Sequence, residues 1–234
     1  MALKIVISHK TVYKYDRLVS LSPHIFRLRP APHSRTPIES YSIKIKPENQ
    51  FLNWQQDPFG NYMARLIFPE KTTELSVDVE IIADLKTINP FDFFVEASAE
   101  EYPFKYSETI KKELSPYLEI TEKGKLLEDF LKTIDYTPRK TIYFLIDINR
   151  KIYEHLNYNI RLDPGVQTCE ETLGQKNGSC RDYAWLFVQT LRHLGFGARF
   201  VSGYLVQLKS DEKSLDGPSG PEEDFTDLHA WAEV

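Results

Sequence analysis

The sequence predicts an α+β protein in which a β-sandwich-like N-terminal domain precedes a core of helices and strands. Residues 1 to about 88 contain short β-branched or aromatic segments, such as LKIVIS, TVYKY and LSVDVEIIADL, separated by turn-forming residues. Beyond residue 121 the apolar residues recur at helical spacing instead. Strand-like segments return with ARFVSGYLVQL and LHAWAEV near the end of the chain. These two changes of pattern indicate a β-rich part followed by a mixed part.

The domain limits follow from the same changes of pattern. We predict that residues 1–90 form the β-rich domain and that residues 121–234 form the core. Residues 91–120 contain prolines and aromatic residues without a strand pattern, so we predict a linker there. Residues 57–61, DPFGN, are a predicted turn between two strands, because proline and glycine each favour particular backbone angles.

Three helices are predicted in the second half of the chain. The first spans residues 121–133, and the second begins at Pro138, since proline suits the first turn of a helix. The third, Cys180 to Leu194, has the clearest apolar face and is followed by glycine. Residues 157–167, NYNIRLDPGVQ, are predicted to be a loop.

Composition excludes several classes of protein. Hydrophobic residues make up 41% of the chain and charged residues 27%, which is typical of a globular domain. The N-terminus has no signal-peptide pattern, and the apolar runs are too short to span a bilayer, so we expect a cytoplasmic protein without membrane association. The two cysteines lack metal-site spacing, and we expect no metal and no cofactor.

Charge is distributed unevenly along the chain. Residues 1–46 contain nine Lys or Arg and two Asp or Glu, although the net charge of the chain is −5. This alternation fits the outer face of a sheet, and no nucleic-acid motif accompanies it, so no nucleic-acid partner is expected. The predicted loop at residues 209–227 has seven acids and two lysines. Its acidity fits either a cationic partner, such as a lysine amine, or simple solvation.

Cys180 stands at the predicted start of the third helix. Ser179 is a good N-cap residue, and Asp182 follows three residues later, which is close to the capping-box pattern. The thiol would then lie beside unpaired N–H groups at the positive end of the helix, which favours the nucleophilic thiolate. The same N–H groups can stabilise an oxyanion. The alternative is that Cys180 is a small, partly buried residue without chemistry.

A nucleophilic thiol needs a base, and His229 is the best placed of six histidines. In LHAWAEV the strand alternation puts His229, Trp231 and Glu233 on one face and small alanines on the other. His193 lies about 20 Å from Cys180 on the same helix. The remaining histidines lie in the β-rich part or at a helix end, namely His9, His24, His33 and His155. The alternative is that His229 is an ordinary strand histidine.

Several segments, in order, resemble one protein family. GSCRDYAWLFVQTLRHLGFGARFVSGYL followed by DLHAWAEV resembles the core of bacterial transglutaminase-like proteins, a branch often labelled cysteine proteases. TCEETLGQKNGSC is similar to the family's approach to its nucleophile. YKYDRLVSLSPHIFRLRP and DPFGN resemble the β-domain that precedes this core.

The resemblance implies a papain-like, transglutaminase-like core with Cys180 as nucleophile and His229 as general base. The family's third catalytic residue is an aspartate on the strand after the histidine strand, which would fall beyond Val234. We therefore expect the core to be truncated at its C-terminal end. Asp227 and Glu233 are poorly placed along the strand to replace that aspartate.

The expected activity is cysteine-dependent acyl transfer on a peptide or protein amide through a thioester, as in a protease or amidase. Transfer to an amine acceptor would make the protein a protein-glutamine γ-glutamyltransferase, which cross-links or deamidates. A binding module of the same fold without catalysis is the third alternative. Cys169 is expected to be structural, and no residue pattern determines the oligomeric state.

Overall fold

The computed structural model describes residues 3–86, 89, 92–209 and 221–234. It divides the chain into two compact units, Met1–Asp92 and Phe93–Val234. None of the helices within the described ranges is both long enough and apolar enough to cross a bilayer.

The first unit consists of two three-stranded antiparallel sheets, with strand orders β1-β6-β3 and β2-β5-β4. The strands are β1 (Leu3–Val19), β2 (His24–Phe26), β3 (Ile38–Lys46), β4 (Phe51–Gln56), β5 (Tyr62–Ile67) and β6 (Thr72–Leu85). The central strand β6 buries alternate apolar side chains, namely Leu75, Val77, Val79, Ile81 and Ala83. This period of two is the pattern that predicted a sheet.

Strand limits in the first unit differ from the sequence prediction at two places. LKIVIS and TVYKY form one strand of 17 residues, because His9 and Lys10 continue the pairing with Val79 and Asp78 of β6. Strands β2 and β4 were not predicted from the sequence. The predicted turn at DPFGN is confirmed: Asp57 Oδ1 accepts the backbone N–H groups of Phe59 and Asn61, each at 2.9 Å.

The second unit contains six α-helices, one short 3-10 helix (Ala97–Ala99) and six strands within its described residues. The helices are α1 (Glu108–Glu113), α2 (Ser115–Leu118), α3 (Lys125–Lys132), α4 (Thr141–His155), α5 (Cys169–Gln175) and α6 (Cys180–His193). The strands are β7 (Glu101–Tyr102), β8 (Arg139–Lys140), β9 (Asn157–Tyr158), β10 (Asn177–Gly178), β11 (Arg199–Gln207) and β12 (Phe225–Glu233). They pair as β7–β8, β9–β10 and β11–β12, and only β9–β10 is parallel.

Helix α4 begins at Thr141, so the prediction that Pro138 opens it was wrong. The two residues after the proline form β8 and pair with β7, which keeps this stretch extended. The Thr141 hydroxyl then donates to the carbonyl of Ala99 at 2.5 Å, and its N–H donates to Glu100 at 2.9 Å. A long-range strand pair therefore overrides the local preference of proline for a helix start.

Helix α5 was absent from the sequence prediction. Thr168 caps it: the Thr168 N–H donates to the Glu171 carboxylate at 2.8 Å, and the Glu171 N–H donates to Thr168 Oγ1 at 3.2 Å. The signal was present as a Thr followed three residues later by Glu, which is a capping box. The stretch is too short for helical periodicity to reveal it.

The segment predicted as a linker contributes to the core of the second unit. Residues 93–120 include β7, α1 and α2. Tyr102 is buried, and its ring stacks on Phe144 with centroids 3.8 Å apart and on Phe196 at 5.3 Å. The domain limits at residues 90 and 120 stay predictions.

Helix α6 runs through the middle of the second unit and is confirmed close to its predicted limits. It ends at His193, and Gly195, two residues later, has a φ of 87°, which suits glycine. The Phe196 N–H then donates to the Leu191 carbonyl at 2.9 Å. One face of α6 packs against β12. Because β12 begins at Phe225, the acidic segment is shorter than predicted, and its residues 210–220 lie outside the described residues.

Candidate active site

Cys180 is the first residue of α6 and is half-buried, as the capping pattern predicted. The Asp182 carboxylate accepts both the backbone N–H and the hydroxyl of Ser179, each at 2.8 Å. Gly178 lies so close that a Cβ there would be 2.8 Å from the Asp182 Cβ. The turn before Cys180 is therefore fixed by a carboxylate inside the helix that follows.

Asp182 itself is fully buried and belongs to a larger hydrogen-bond cluster. Arg161 donates to both of its oxygens, from Nε at 3.1 Å and from Nη2 at 2.9 Å, and the Gln167 N–H donates at 2.8 Å. Burial by itself would raise the pKa of Asp182. The hydrogen bonds from Arg161, Gln167 and Ser179 outweigh burial and bring the pKa to about 2.

A second arginine, Arg181, connects the loop before α5 to the start of α6. Arg181, next to Cys180, donates to the carbonyls of Arg161 at 2.8 Å and Asp163 at 3.0 Å. Arg161 in turn donates to the carbonyl of Gly165 at 2.9 Å. Residues 161–167, predicted only as a loop, are thereby held against the start of α6.

His229 lies on β12 opposite Gly203 of β11 and is half-buried. It lines the same cavity as Cys180, a groove of about 540 Å³ within the second unit. The structure thus brings together the two residues that the sequence singled out. Aromatic side chains make much of the remaining wall, namely Tyr153, Tyr158, Tyr183, Phe187 and Trp231. Among the described residues, no Asp, Glu, Lys or Arg lines this groove.

Tyr158 is a site residue that the sequence analysis placed in a loop and did not single out. It lies on β9 opposite Gly178, and it lines the same groove as Cys180. Partial burial raises the pKa of the Tyr158 phenol, and Cys180 and then Asp227 raise it further. No local pattern marks this residue, because its place in the groove depends on the pairing of two short parallel strands.

Two other histidines of the second unit, His193 and His155, have partners outside the groove. His193, at the far end of α6, has Nε2 2.9 Å from the Glu122 carbonyl oxygen. His155 packs edge-on against Phe130. Burial lowers the pKa of His155, and the positive charges of Lys176 and Lys151 lower it further. His9, His24 and His33 belong to the first unit.

Cys169 is buried at the start of α5, and both cysteines are free thiols. The backbone N–H of Cys169 donates to the Glu122 carboxylate at 2.6 Å. Burial raises the pKa of the Cys169 thiol strongly, and Glu122 raises it further. A thiol that stays protonated is a poor nucleophile, so Cys169 does not compete with Cys180.

The acidic residues of β12 are turned to other partners. Asp227 accepts the N–H of Leu228 at 2.7 Å, and Glu233 accepts two bonds from Arg199 at 2.7 and 2.5 Å. The orienting aspartate implied beyond Val234 stays a prediction. Three or more His, Cys, Asp or Glu side chains do not come together as a metal site anywhere in the described part of the chain.

Family comparisons agree with this arrangement along most of the chain. Residues 128–234, which contain α6 and β12, match the transglutaminase-like superfamily. Residues 5–84 match the bacterial transglutaminase-like N-terminal region. The two matches confirm the predicted resemblance to transglutaminase-like proteins that carry this bacterial N-terminal region.

Two relatives and one solved structure are similar to this chain along nearly its whole length. "Uncharacterized protein Mb2599c" of Mycobacterium bovis and "Uncharacterized protein Rv2569c" of Mycobacterium tuberculosis are each 23% identical, over 97% of this chain and 72% of their own length. The crystal structure of a "Putative Cysteine Protease" from Cytophaga hutchinsonii matches with a TM-score of 0.63 and 19% identity. That match covers 100% of this chain and 73% of the other, and it confirms the predicted fold class.

Proposed function

We propose that the protein is a cysteine-dependent amidase or protease that acts on peptide or protein amides through a thioester. The observation that carries this proposal is that Cys180 and His229 line one groove. The match of residues 128–234 to the transglutaminase-like superfamily supports a cysteine-dependent enzyme. The name of the Cytophaga hutchinsonii structure supports hydrolysis in particular.

The residues of the groove are suited to each chemical step. His229 takes the proton from Cys180, and the thiolate attacks the carbonyl carbon of the amide. The N–H groups in the first turn of α6 stabilise the oxyanion that forms. The C–N bond breaks as His229 returns the proton to the leaving amine. Water, deprotonated by His229, then attacks the thioester, and the C–S bond breaks to release the acid and restore the thiol.

The test uses the full protein with a set of peptide amides that release a fluorescent amine. We expect wild-type protein to form a thioester that mass spectrometry locates on Cys180, and we expect Cys180→Ala to abolish amine release. His229→Ala should lower kcat/KM by about 10²–10⁴, the usual contribution of a general base. His33→Ala, an exposed histidine of the first unit, is the matched control and should retain full activity.

Two measurements separate the alternatives. If water is the acceptor, added primary amine leaves the acid as the main product; conversion to the secondary amide would indicate a transferase instead. Iodoacetamide should modify Cys180 faster than a free model thiol at neutral pH. If Cys180 reacts no faster and His229→Ala changes nothing, the protein is a non-catalytic module of this fold.

A further inference from the structure

The strongest unexplained feature near the thiol is the ion pair between Arg161 and Asp182. The Asp182 side chain has 0% exposure and the Arg161 side chain 12%. Both oxygens of the Asp182 carboxylate accept hydrogen bonds, and the donors belong to three residues: Arg161, Gln167 and Ser179. A buried pair of this kind costs desolvation energy that apolar side chains of similar volume would avoid, so stability alone does not explain it.

We propose that Asp182 and Arg161 are positioning residues for Cys180: the carboxylate fixes the turn that presents the thiol, and the guanidinium cancels the carboxylate's charge beside it. This inference rests on the proposed function of Cys180. It adds two roles to that function, one geometric and one electrostatic, and variants of the two residues separate them.

The geometric role belongs to Asp182. Its carboxylate holds the N–H and hydroxyl of Ser179, the residue immediately before the thiol. It also accepts the Gln167 N–H. Arg161 donates to the Gly165 carbonyl and Arg181 donates to the Arg161 carbonyl, so the loop of residues 161–167 is attached to the same cluster. Tyr158 lies on β9 just before this loop and pairs with Gly178, the residue before Ser179.

The electrostatic role belongs to Arg161. Asp182 is two residues from Cys180, and its low pKa means that it carries a negative charge throughout the working pH range. An uncompensated carboxylate in the same helical turn as the thiol would oppose formation of a thiolate. Arg161 neutralises it directly, while Asp163 and Glu171 act on Arg161 from the surrounding loop and α5. Other titratable groups line the groove with the thiol, namely Tyr153 on α4, Tyr158 on β9, Tyr183 on α6 and His229 on β12. Arg181 is next to Cys180 on α6, and the charge of Asp227 on β12 acts on Tyr158.

The test measures the rate of Cys180 alkylation by iodoacetamide against pH, which is independent of amide cleavage. We expect Arg161→Gln to move the midpoint of the profile upward by about one pH unit, so that alkylation below the midpoint slows about tenfold. Arg161→Gln combined with Asp182→Asn removes both charges and should return the midpoint towards that of wild type. Amide cleavage should stay low in the double variant, because the turn is no longer held.

Matched variants keep the interpretation specific. Arg139→Gln removes an arginine from another ion pair, with Asp147 at 2.6 Å, and should leave the profile unchanged. Arg161→Lys keeps the charge and should keep the midpoint even if Arg161→Gln does not fold. A wild-type profile in folded Arg161→Gln, or the same shift in Arg161→Lys as in Arg161→Gln, would overturn the proposal. If wild-type Cys180 alkylates slowly and cleaves no amide, the proposed function fails instead.

Discussion

Gly203 of β11 lies directly beneath the indole ring of Trp231 on β12. A Cβ at residue 203 would be 2.8 Å from Cη2 and 3.1 Å from Cζ3 of that ring. Gly203 is also paired with His229, which shares its strand face with Trp231. The absence of a side chain at this position therefore sets the shape of the groove next to the proposed base.

Substituting Gly203 tests that relationship. We expect Gly203→Ala to tilt the indole, which is 38% exposed and free to move outward, and to lower kcat/KM severalfold. The free energy of unfolding should change by less than about 1 kcal/mol, because alanine also reduces the backbone entropy lost by glycine. Activity and tryptophan fluorescence measure the effect. Unchanged activity together with an altered emission spectrum would show that Trp231 does not shape the substrate path.

The ionised state of Asp182 predicts a specific loss of stability in acid. Its folded pKa of about 2 lies below the ordinary value of 3.8, so its contribution is complete above about pH 4 and is lost as pH falls through 2. The difference corresponds to about 2 kcal/mol. Urea unfolding at pH 5, 3 and 2 should show this loss in wild type and a smaller one in Asp182→Asn. Equal losses in the two proteins would contradict the prediction.

Glu170 should contribute stability without affecting the thiol. Its carboxylate accepts the N–H groups of Leu126 and Leu127 at 3.1 and 2.8 Å and so caps α3 from another helix. We expect Glu170→Ala to lower the free energy of unfolding by about 1–2 kcal/mol, as the loss of a helix cap does. The rate of Cys180 alkylation should not change. Glu113→Ala removes an exposed acid from α1 and serves as the control, with an expected change within about 0.5 kcal/mol.

The walls of the groove predict a substrate preference. Since no Asp, Glu, Lys or Arg of the described residues lines it, a charged group next to the scissile carbonyl would lose its hydration without gaining a partner. We expect amides with a large apolar acyl side chain to have a kcat/KM at least about tenfold above those with Asp or Lys. Tyr153→Ala, which removes an exposed ring from the wall, should raise KM for the apolar substrates. Equal kcat/KM values for charged and apolar substrates would show that the acyl side chain does not bind in this groove.

The sequence by itself determined the features that depend on neighbours along the chain. The start of α6 at Cys180 follows from Ser179 and Asp182, because a cap joins residues three apart. The burial of alternate residues in β6 follows from the two-residue period of a strand. His229 and its strand face were identified in the same way. Helix caps and strand periodicity depend only on residues that are close together in the sequence, so these features can be predicted without the tertiary structure.

Tertiary structure alone decided the contacts between distant segments. Pro138 does not begin a helix, because the residues after it pair with β7. Tyr158 reaches the groove of Cys180 through the pairing of β9 with β10, and Arg161 reaches Asp182 across 21 residues. Each of these contacts forms only when packing brings separate segments together, and no local pattern encodes that proximity. The sequence located the thiol and a candidate base, whereas the folded chain supplied the groove they share and the residues that hold the thiol in place.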